Sequence, residues 1–312
     1  MLIYIIVGAR PNFMKIAPII AEIKKHPTIN YKLIHTGQHF DKNMSDAFFE
    51  DLGLPYPDIN LNIHGWSVAE QIGKVLIACN TLFQQEKPDY LLVVGDVNAT
   101  VAWAIAAKQN WIRVIHVEAW LRSFDRTMPE EINRILTDSI ADLLFVTEES
   151  AVVNLKNEGI VEGVHIVWNV MIDCLQSNLS KVTERWIHDK LGLSWRSYAV
   201  ITLHRPSNVD TKDSLEKYLE FFQWVAKKMP IVLPLHPRTK KNIDMFELST
   251  YLENENIIIT DPLWYIDFIS LLTKSNVVLT DSWWIQEETT YLQIPCLTMR
   301  KSTERPVTCD LG

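Results

Sequence analysis

At 312 residues the chain exceeds the usual span of one hydrophobic core, so two domains are expected. Its net charge of −8, with 47% hydrophobic and 22% charged residues, describes a soluble globular protein and excludes a general binder of nucleic acid or membrane surfaces. Four dispersed cysteines, Cys79, Cys174, Cys296 and Cys309, have no metal-ligand spacing and imply no disulfide framework, which fits reduced thiols in a cytoplasmic protein.

The first apolar run, LIYIIVG, meets a glycine and Arg10 too soon for a signal peptide or a membrane span, and reads as a buried strand. Helices are then expected over 12–25, 42–52, 67–86, 98–109 and 129–141, alternating with the strands YKLIHTG, YLLVVGD, RVIHVEA, LLFVTEE and HIVWN. After a polar, strand-poor segment near 171–196 the alternation restarts. Strands are expected at YAVITLH, PIVLPLH, IIITDPL, VVLTDS and IPCLTM, with helices near 211–228, 265–274 and 285–291. Such βα alternation predicts an α/β fold of two Rossmann-like domains, over 1–170 and 171–312, whose parallel sheets face a cleft.

In open α/β sheets ligands bind beyond the carboxyl ends of the strands, so the polar residues that follow each apolar run are candidates. Arg10 and Lys15 follow the first strand and can hold a phosphate at a helix N-terminus, although a capping arginine and a solvated lysine explain them as well. The dinucleotide and P-loop glycine fingerprints are absent. Asp96 and Glu118 stand at central strand tips, whereas Glu130 in MPEEINRI fits either acid/base work or a favourable charge in a first helical turn. His204 in TLHRPSNV and His236 in PLHPR, each followed within two residues by Arg205 or Arg238, suggest an anion-facing rim and no metal site. Ser282, with Gln286, Glu287 and Glu288 behind it, suits a phosphate and a ribose, or a capping box.

Taken together and in order, GARPNFMKIAP, TGQHFD, VVGDVNAT, HVEAWLRS, MPEEINR, TLHRPSNV, TDSWWIQEET and MRKSTERP resemble the motifs of the UDP-N-acetylglucosamine 2-epimerase family. The resemblance implies the glycosyltransferase-B fold and interconversion of UDP-GlcNAc and UDP-ManNAc, by elimination of UDP to a 2-acetamidoglucal and its re-addition. It implies no metal or cofactor, a homodimer, and a place in cell-envelope polysaccharide biosynthesis. Carried over by motif, Asp96, Glu118, Glu130 and His204 are catalytic. Arg10, Lys15, Arg134, Arg205, His236, Phe268, Ser282, Glu288 and Arg305 bind substrate, with Glu288 on the ribose. A hydrolysing 2-epimerase and a retaining glycosyltransferase are the alternative enzymes, and a UDP-sugar-binding protein with impaired turnover is the alternative class.

The sequence departs from the family pattern in several places. HRPSN, with Pro206 and Ser207, replaces the common HRxEN, and Phe40 and Asp41 follow Gln38 and His39 where some members bind a second, activating UDP-GlcNAc. The chain ends at DLG soon after TERP, where members continue, so a truncated second domain is expected. There are 11 tryptophans and only 10 glycines. Trp120, Trp168, Trp264, Trp283 and Trp284 stand where the family favours glycine, and Trp66 and Trp111 lie in turn-like contexts. The expectation is an altered or miscoded epimerase sequence in which the Trp283–Trp284 pair, if left-handed, is strained and obstructs the diphosphate.

Overall fold

The computed structural model describes residues 1–37, 46–63, 67–300 and 308, with backbone alone at residues 10 and 46–48. Chain contacts divide it into two units, Met1–Ser177 and Asn178–Gly312.

Unit 1 contains the strands β1 (Leu2–Val7), β2 (Asn30–His35), β3 (Ile59–Asn60), β4 (Tyr90–Val94), β5 (Arg113–Ala119), β6 (Leu143–Val146) and β7 (Val164–Ile166). Its helices are α1 (Arg10–Ile23), α2 (Asp46–Leu52), α3 (Val68–Gln85), α4 (Asn98–Gln109), α5 (Pro129–Ile140) and α6 (Glu149–Asn157), and α7 (Val170–Glu184) runs across the boundary. All strands are parallel, in the order β3-β2-β1-β4-β5-β6-β7. Strands covered on both faces must be apolar throughout, and in β1 the residues from Ile3 to Val7 are all buried. The main core gathers Tyr4, Ile34, Phe83, Val93 and Val114 around Trp103, an indole with no exposed surface.

Unit 2 contains α8 (Ile187–Lys190), β8 (Ala199–Thr202), α9 (Pro206–Val209), α10 (Lys212–Ala226), β9 (Ile231–Pro234), α11 (Pro237–Met245), β10 (Ile257–Thr260), α12 (Tyr265–Thr273), β11 (Val277–Thr280), α13 (Trp283–Tyr291) and β12 (Cys296–Thr298). The order is β10-β9-β8-β11-β12, again parallel. Ile201, Leu215, Leu219, Phe222, Leu233 and Leu279 pack one face of it.

Each sheet therefore reverses its winding direction once, between β1 and β4 in the first and between β8 and β11 in the second. A crevice opens at such a point, because the connections leave the two strands toward opposite faces. The expected residues Lys15 and Asp96 follow one pair of strands, and His204 and Ser282 the other.

The segment expected to be polar and strand-poor is largely helical. Val170, Met171, Cys174, Leu175 and Val182 are buried at helical spacing on α7, an amphipathic pattern diluted by its polar neighbours. Helices α6 and α11 were likewise absent from the expected set.

The glycine-type tryptophans separate into two kinds. Trp111, Trp120 and Trp168 adopt left-handed backbone, at φ of 58°, 69° and 64°. Trp111 follows the end of α4, where the Ile112 N–H bonds the Ala107 carbonyl at 2.9 Å, and Gly159 and Gly192 occupy the same place after α6 and α8. By contrast Trp264 has φ of −72°, and Trp283 and Trp284 form the first turn of α13. Left-handed strain at the pair is thus overturned, because the helix begins at Trp283 and keeps both residues right-handed. Trp66 lies outside the described residues.

Trp111 is 90% exposed and Trp168 73% exposed, so their indoles contribute little packing to set against the backbone strain. Replacing each by glycine is expected to stabilise unit 1 by about 1 kcal/mol. Urea denaturation of Trp111→Gly and Trp168→Gly checks this, and unchanged or lower midpoints would show the strain to be absent.

Candidate active site

The geometry of unit 1 centres on Gly95, the residue after β4. Its φ of +66° favours glycine, and a Cβ there would stand 2.9 Å from Lys15 Nζ and displace the end of that side chain. Lys15 on α1 and Glu118 on β5 form an ion pair beside it, each side chain only 2% exposed. Glu118 reaches this position through a bulge: the β5–β6 register shifts between Val117 and Ala119, and Glu118 itself has φ of 65°. A non-glycine residue in that conformation is strained by about 1–2 kcal/mol, and such strain persists only where surrounding contacts fix it.

Two buried networks brace this centre. His116 lies between Asp138, 2.6 Å from Nδ1, and the Gly95 carbonyl, 2.9 Å from Nε2, while Arg122 reaches the other Asp138 oxygen at 2.8 Å. Asp96 is gripped by Arg134, whose Nε and Nη2 donate to Oδ2 at 3.0 and 2.8 Å. The same guanidinium pairs with Glu131 at 2.8 Å, and Glu131 also accepts the N–H groups of Ser123 and Phe124. Glu131 is thereby committed to structure, whereas Glu130 stays half-buried in the first turn of α5.

In unit 2, His204 follows β8 and lies 2.7 Å from Asp281, which follows β11 and has no exposed surface. The His236 ring sits 5.4 Å from that of His204. Desolvation and the neighbouring His204 push the His236 imidazole below its ordinary range. Ser282 is the N-cap residue of α13, yet its side chain makes no capping bond, so the capping-box reading of Ser282 fails. Its N–H instead donates to Thr280 Oγ1 at 3.0 Å. Glu288, on the same helix, is buried. Phe268 is half-buried on α12.

The sequence profile described as UDP-N-acetylglucosamine 2-epimerase matches residues 21–312. The chain belongs to the UDP-N-acetylglucosamine 2-epimerase family. It is 42% identical over 307 residues to a UDP-N-acetylglucosamine 2-epimerase homolog of Methanococcus maripaludis, covering 97% of this chain and 85% of the relative. A Pseudomonas aeruginosa relative, named UDP-2,3-diacetamido-2,3-dideoxy-D-glucuronate 2-epimerase, is 41% identical over 313 residues, 99% of this chain and 86% of that one. The crystal structure of Methanocaldococcus jannaschii UDP-GlcNAc 2-epimerase in complex with UDP-GlcNAc and UDP superposes with a TM-score of 0.92 at 42% identity, covering 99% of this chain and 87% of that one.

For an epimerase-family chain, the described residues place the expected side chains unevenly. Lys15 and Glu118 meet beside Gly95, Asp96 is the next residue in the chain, and Arg134 links Asp96 to the helix that carries Glu130. His204, Arg205, Asp281 and Ser282 converge at the tips of β8 and β11. Arg134 is 2% exposed, with its guanidinium fork already shared by two carboxylates. Arg305, Gln38 and His39 lie outside the described residues, as does the Arg10 side chain. Sequence reasoning passed over His116, Arg122, Asp138 and Glu131. His116 was open to detection, since it precedes Glu118 by two residues on one strand, the spacing that brings side chains to a common face.

Three tryptophans at glycine-type positions meet different surroundings. Trp120 is buried among Ala119, Leu144, Val146 and Leu155, with the Arg122 guanidinium 4.4 Å above its ring. The Trp283 and Trp284 rings meet edge to face, 5.2 Å apart at 87°, at the start of α13.

Burial pushes the Glu288 carboxyl up from 4.5 to about 8, against the favourable Tyr265 contact and helped by the charge of Glu287. In the unfolded chain this group ionises near 4.5, so between there and about 8 the folded state holds a proton that the unfolded state has released. The stability it contributes is full below 4.5, falls as pH rises through that window, and is gone above about 8. Glu288→Gln is therefore expected to flatten the fall. Thermal melts of both proteins across the window check it, and parallel profiles would locate the pH dependence elsewhere.

Proposed function

We propose that the protein is a UDP-N-acetylglucosamine 2-epimerase that interconverts UDP-GlcNAc and UDP-ManNAc. The observation that carries this reading is the buried Lys15–Glu118 pair beside Gly95, with Asp96 the next residue, at the β1/β4 switch point of a chain 42% identical to a UDP-GlcNAc 2-epimerase. Removing the C2 proton while the C1–O bond to UDP breaks gives a 2-acetamidoglucal. Returning UDP oxygen to C1 with a proton on the other face of C2 gives the epimer. Asp96, Glu118 and Glu130 serve as the acid/base group. A buried carboxylate such as Glu118 is freed of competing water, and substrate alignment supplies much of the help a weakly acidic C2–H needs. His204 and Arg205 meet the departing diphosphate, together with Arg10, Lys15 and Arg305. Arg134 orients Asp96, and His236 borders His204. Ser282 and the first N–H groups of α13 take the phosphates, Glu288 the ribose, and Phe268 lies against the nucleotide.

This chemistry needs no cofactor or metal. Among the described residues no group of three His, Cys, Asp or Glu side chains is placed to hold a metal ion. No described helix is long and apolar enough to cross a membrane. We place the enzyme in the cytoplasm as a homodimer with domains over 1–170 and 171–312, making a precursor for cell-envelope polysaccharide.

Incubation with UDP-GlcNAc in D2O, followed by NMR at C2, tests the assignment. The expected result is UDP-ManNAc carrying deuterium at C2, with exchange lowered about 10²-fold or more in Glu118→Gln. Free ManNAc would mark a hydrolysing enzyme, and exchange with UDP-2,3-diacetamido-2,3-dideoxy-D-glucuronate alone would reassign the sugar. The second reading, a UDP-sugar binder with impaired turnover, is favoured by the two indoles that open α13. It predicts that Trp283→Gly/Trp284→Gly tightens UDP binding by titration calorimetry, and equal affinities would dismiss the obstruction.

A further inference from the structure

We propose that Asp281 is the positioning residue of His204, acting on the reaction through that imidazole and the loop that carries it; the inference rests on the epimerase reading above. Asp281 ends β11 at the second sheet's switch point and is fully buried. Among the described residues, its carboxylate hydrogen bonds and ion pair go to the segment that follows β8. Oδ2 accepts the N–H groups of His204 and Arg205 at 2.8 and 2.7 Å and Asn208 Nδ2 at 3.1 Å, while Oδ1 lies 2.7 Å from His204 Nδ1.

This arrangement does two things. It fixes the backbone of the His204–Arg205 turn, as a single buried carboxylate bridging two adjacent strand tips. It also biases the tautomer: Oδ1 stands 2.7 Å from Nδ1 and an ionised carboxylate only accepts, so its charge favours the hydrogen of a neutral His204 on Nδ1. Nε2, on the far side of the ring, is then left to take a proton or, once protonated, to donate one. Burial alone would raise the Asp281 carboxyl, but the His204 ring and the Arg205 and His204 N–H groups outweigh it and hold the group below the ordinary carboxylate range. Among the described residues, the other charged or titratable groups near the pair are His236, Arg205, Tyr218, whose hydroxyl donates to Asn208 Oδ1 at 3.3 Å, and Arg238 beyond them, whose guanidinium is bound to Asp210.

The test is a double-mutant cycle of Asp281→Asn and His204→Asn, read in turnover of UDP-GlcNAc, with the ring nitrogens of His204 followed by 15N NMR. Asparagine keeps the size of the side chain and an oxygen to accept the turn's N–H groups, and thermal melts verify folding. Asp281→Asn is expected to lower kcat about tenfold or more with KM little changed, and to cost almost nothing further in the His204→Asn background. The wild-type ring is expected to carry its neutral-state hydrogen on Nδ1, and the Asp281→Asn ring a mixture of tautomers. Multiplicative losses, or a wild-type ring protonated on Nε2 alone, would overturn the proposal. Absence of C2 exchange in the wild type would defeat the epimerase reading separately, and the tautomer would then decide.

Discussion

The Lys15–Glu118 ion pair is the contact on which unit 1 is organised. Both side chains are almost wholly withdrawn from water, and leaving either charge alone in such a place costs roughly 3–5 kcal/mol. The pair therefore dictates what surrounds it. The bare Gly95 leaves Lys15 Nζ room that a Cβ would crowd, and β5 bulges into left-handed backbone where it delivers Glu118. The Gly95 carbonyl is held from the other side by His116, which Asp138 and Arg122 hold in turn. Remove the requirement for a buried carboxylate at this point, and the strained bulge and the crowded glycine have no purpose.

Unit 2 solves a similar problem with less charge. One carboxylate, Asp281, ties two neighbouring strand tips together, and its pairing with His204 replaces the lysine pair of unit 1. In both units the buried charged groups sit at or beside the point where the sheet reverses its winding, because there loops on opposite faces leave the strand ends uncovered. The charges differ in kind: carboxylates dominate beyond β4 and β5, and imidazoles with Arg205 gather beyond β8.

Much of this was legible in the sequence. Parallel strands buried on both faces leave unbroken apolar runs, and the polar residue ending each run marks the strand tip, which is how Asp96, Glu118, His204 and Asp281 came to notice. What stayed hidden has physical reasons. The α7 core is a narrow stripe within polar residues, so it reads as linker. Glu130 and Glu131 are adjacent and chemically alike; only the loop N–H groups bound by Glu131 tell them apart. Asp138 lies within a helix, where nothing local marks it as the partner of a histidine on β5. Bulges such as the one at Glu118 depend on the partner strand and leave no trace in one segment's pattern.

The tryptophans show why composition and conformation must be read together. Their excess over glycine suggested one cause and one consequence, yet the backbone separates them. Trp111, Trp120 and Trp168 occupy torsions that glycine adopts freely, and Trp111 does so at the same helix-ending position that Gly159 and Gly192 fill elsewhere in the fold. At Trp111 and Trp168, whose indoles are exposed, a glycine would relieve strain at little cost in packing, whereas at Trp120 it would also remove a buried indole. Trp283 and Trp284 are helical, so a glycine would relieve no torsion and would, if anything, loosen the first turn of α13. What glycine offers at that junction is space for a ligand to approach the N–H groups of the helix. The same substitution therefore bears on stability at one set of positions and on binding at the other, and the sign of φ distinguishes them.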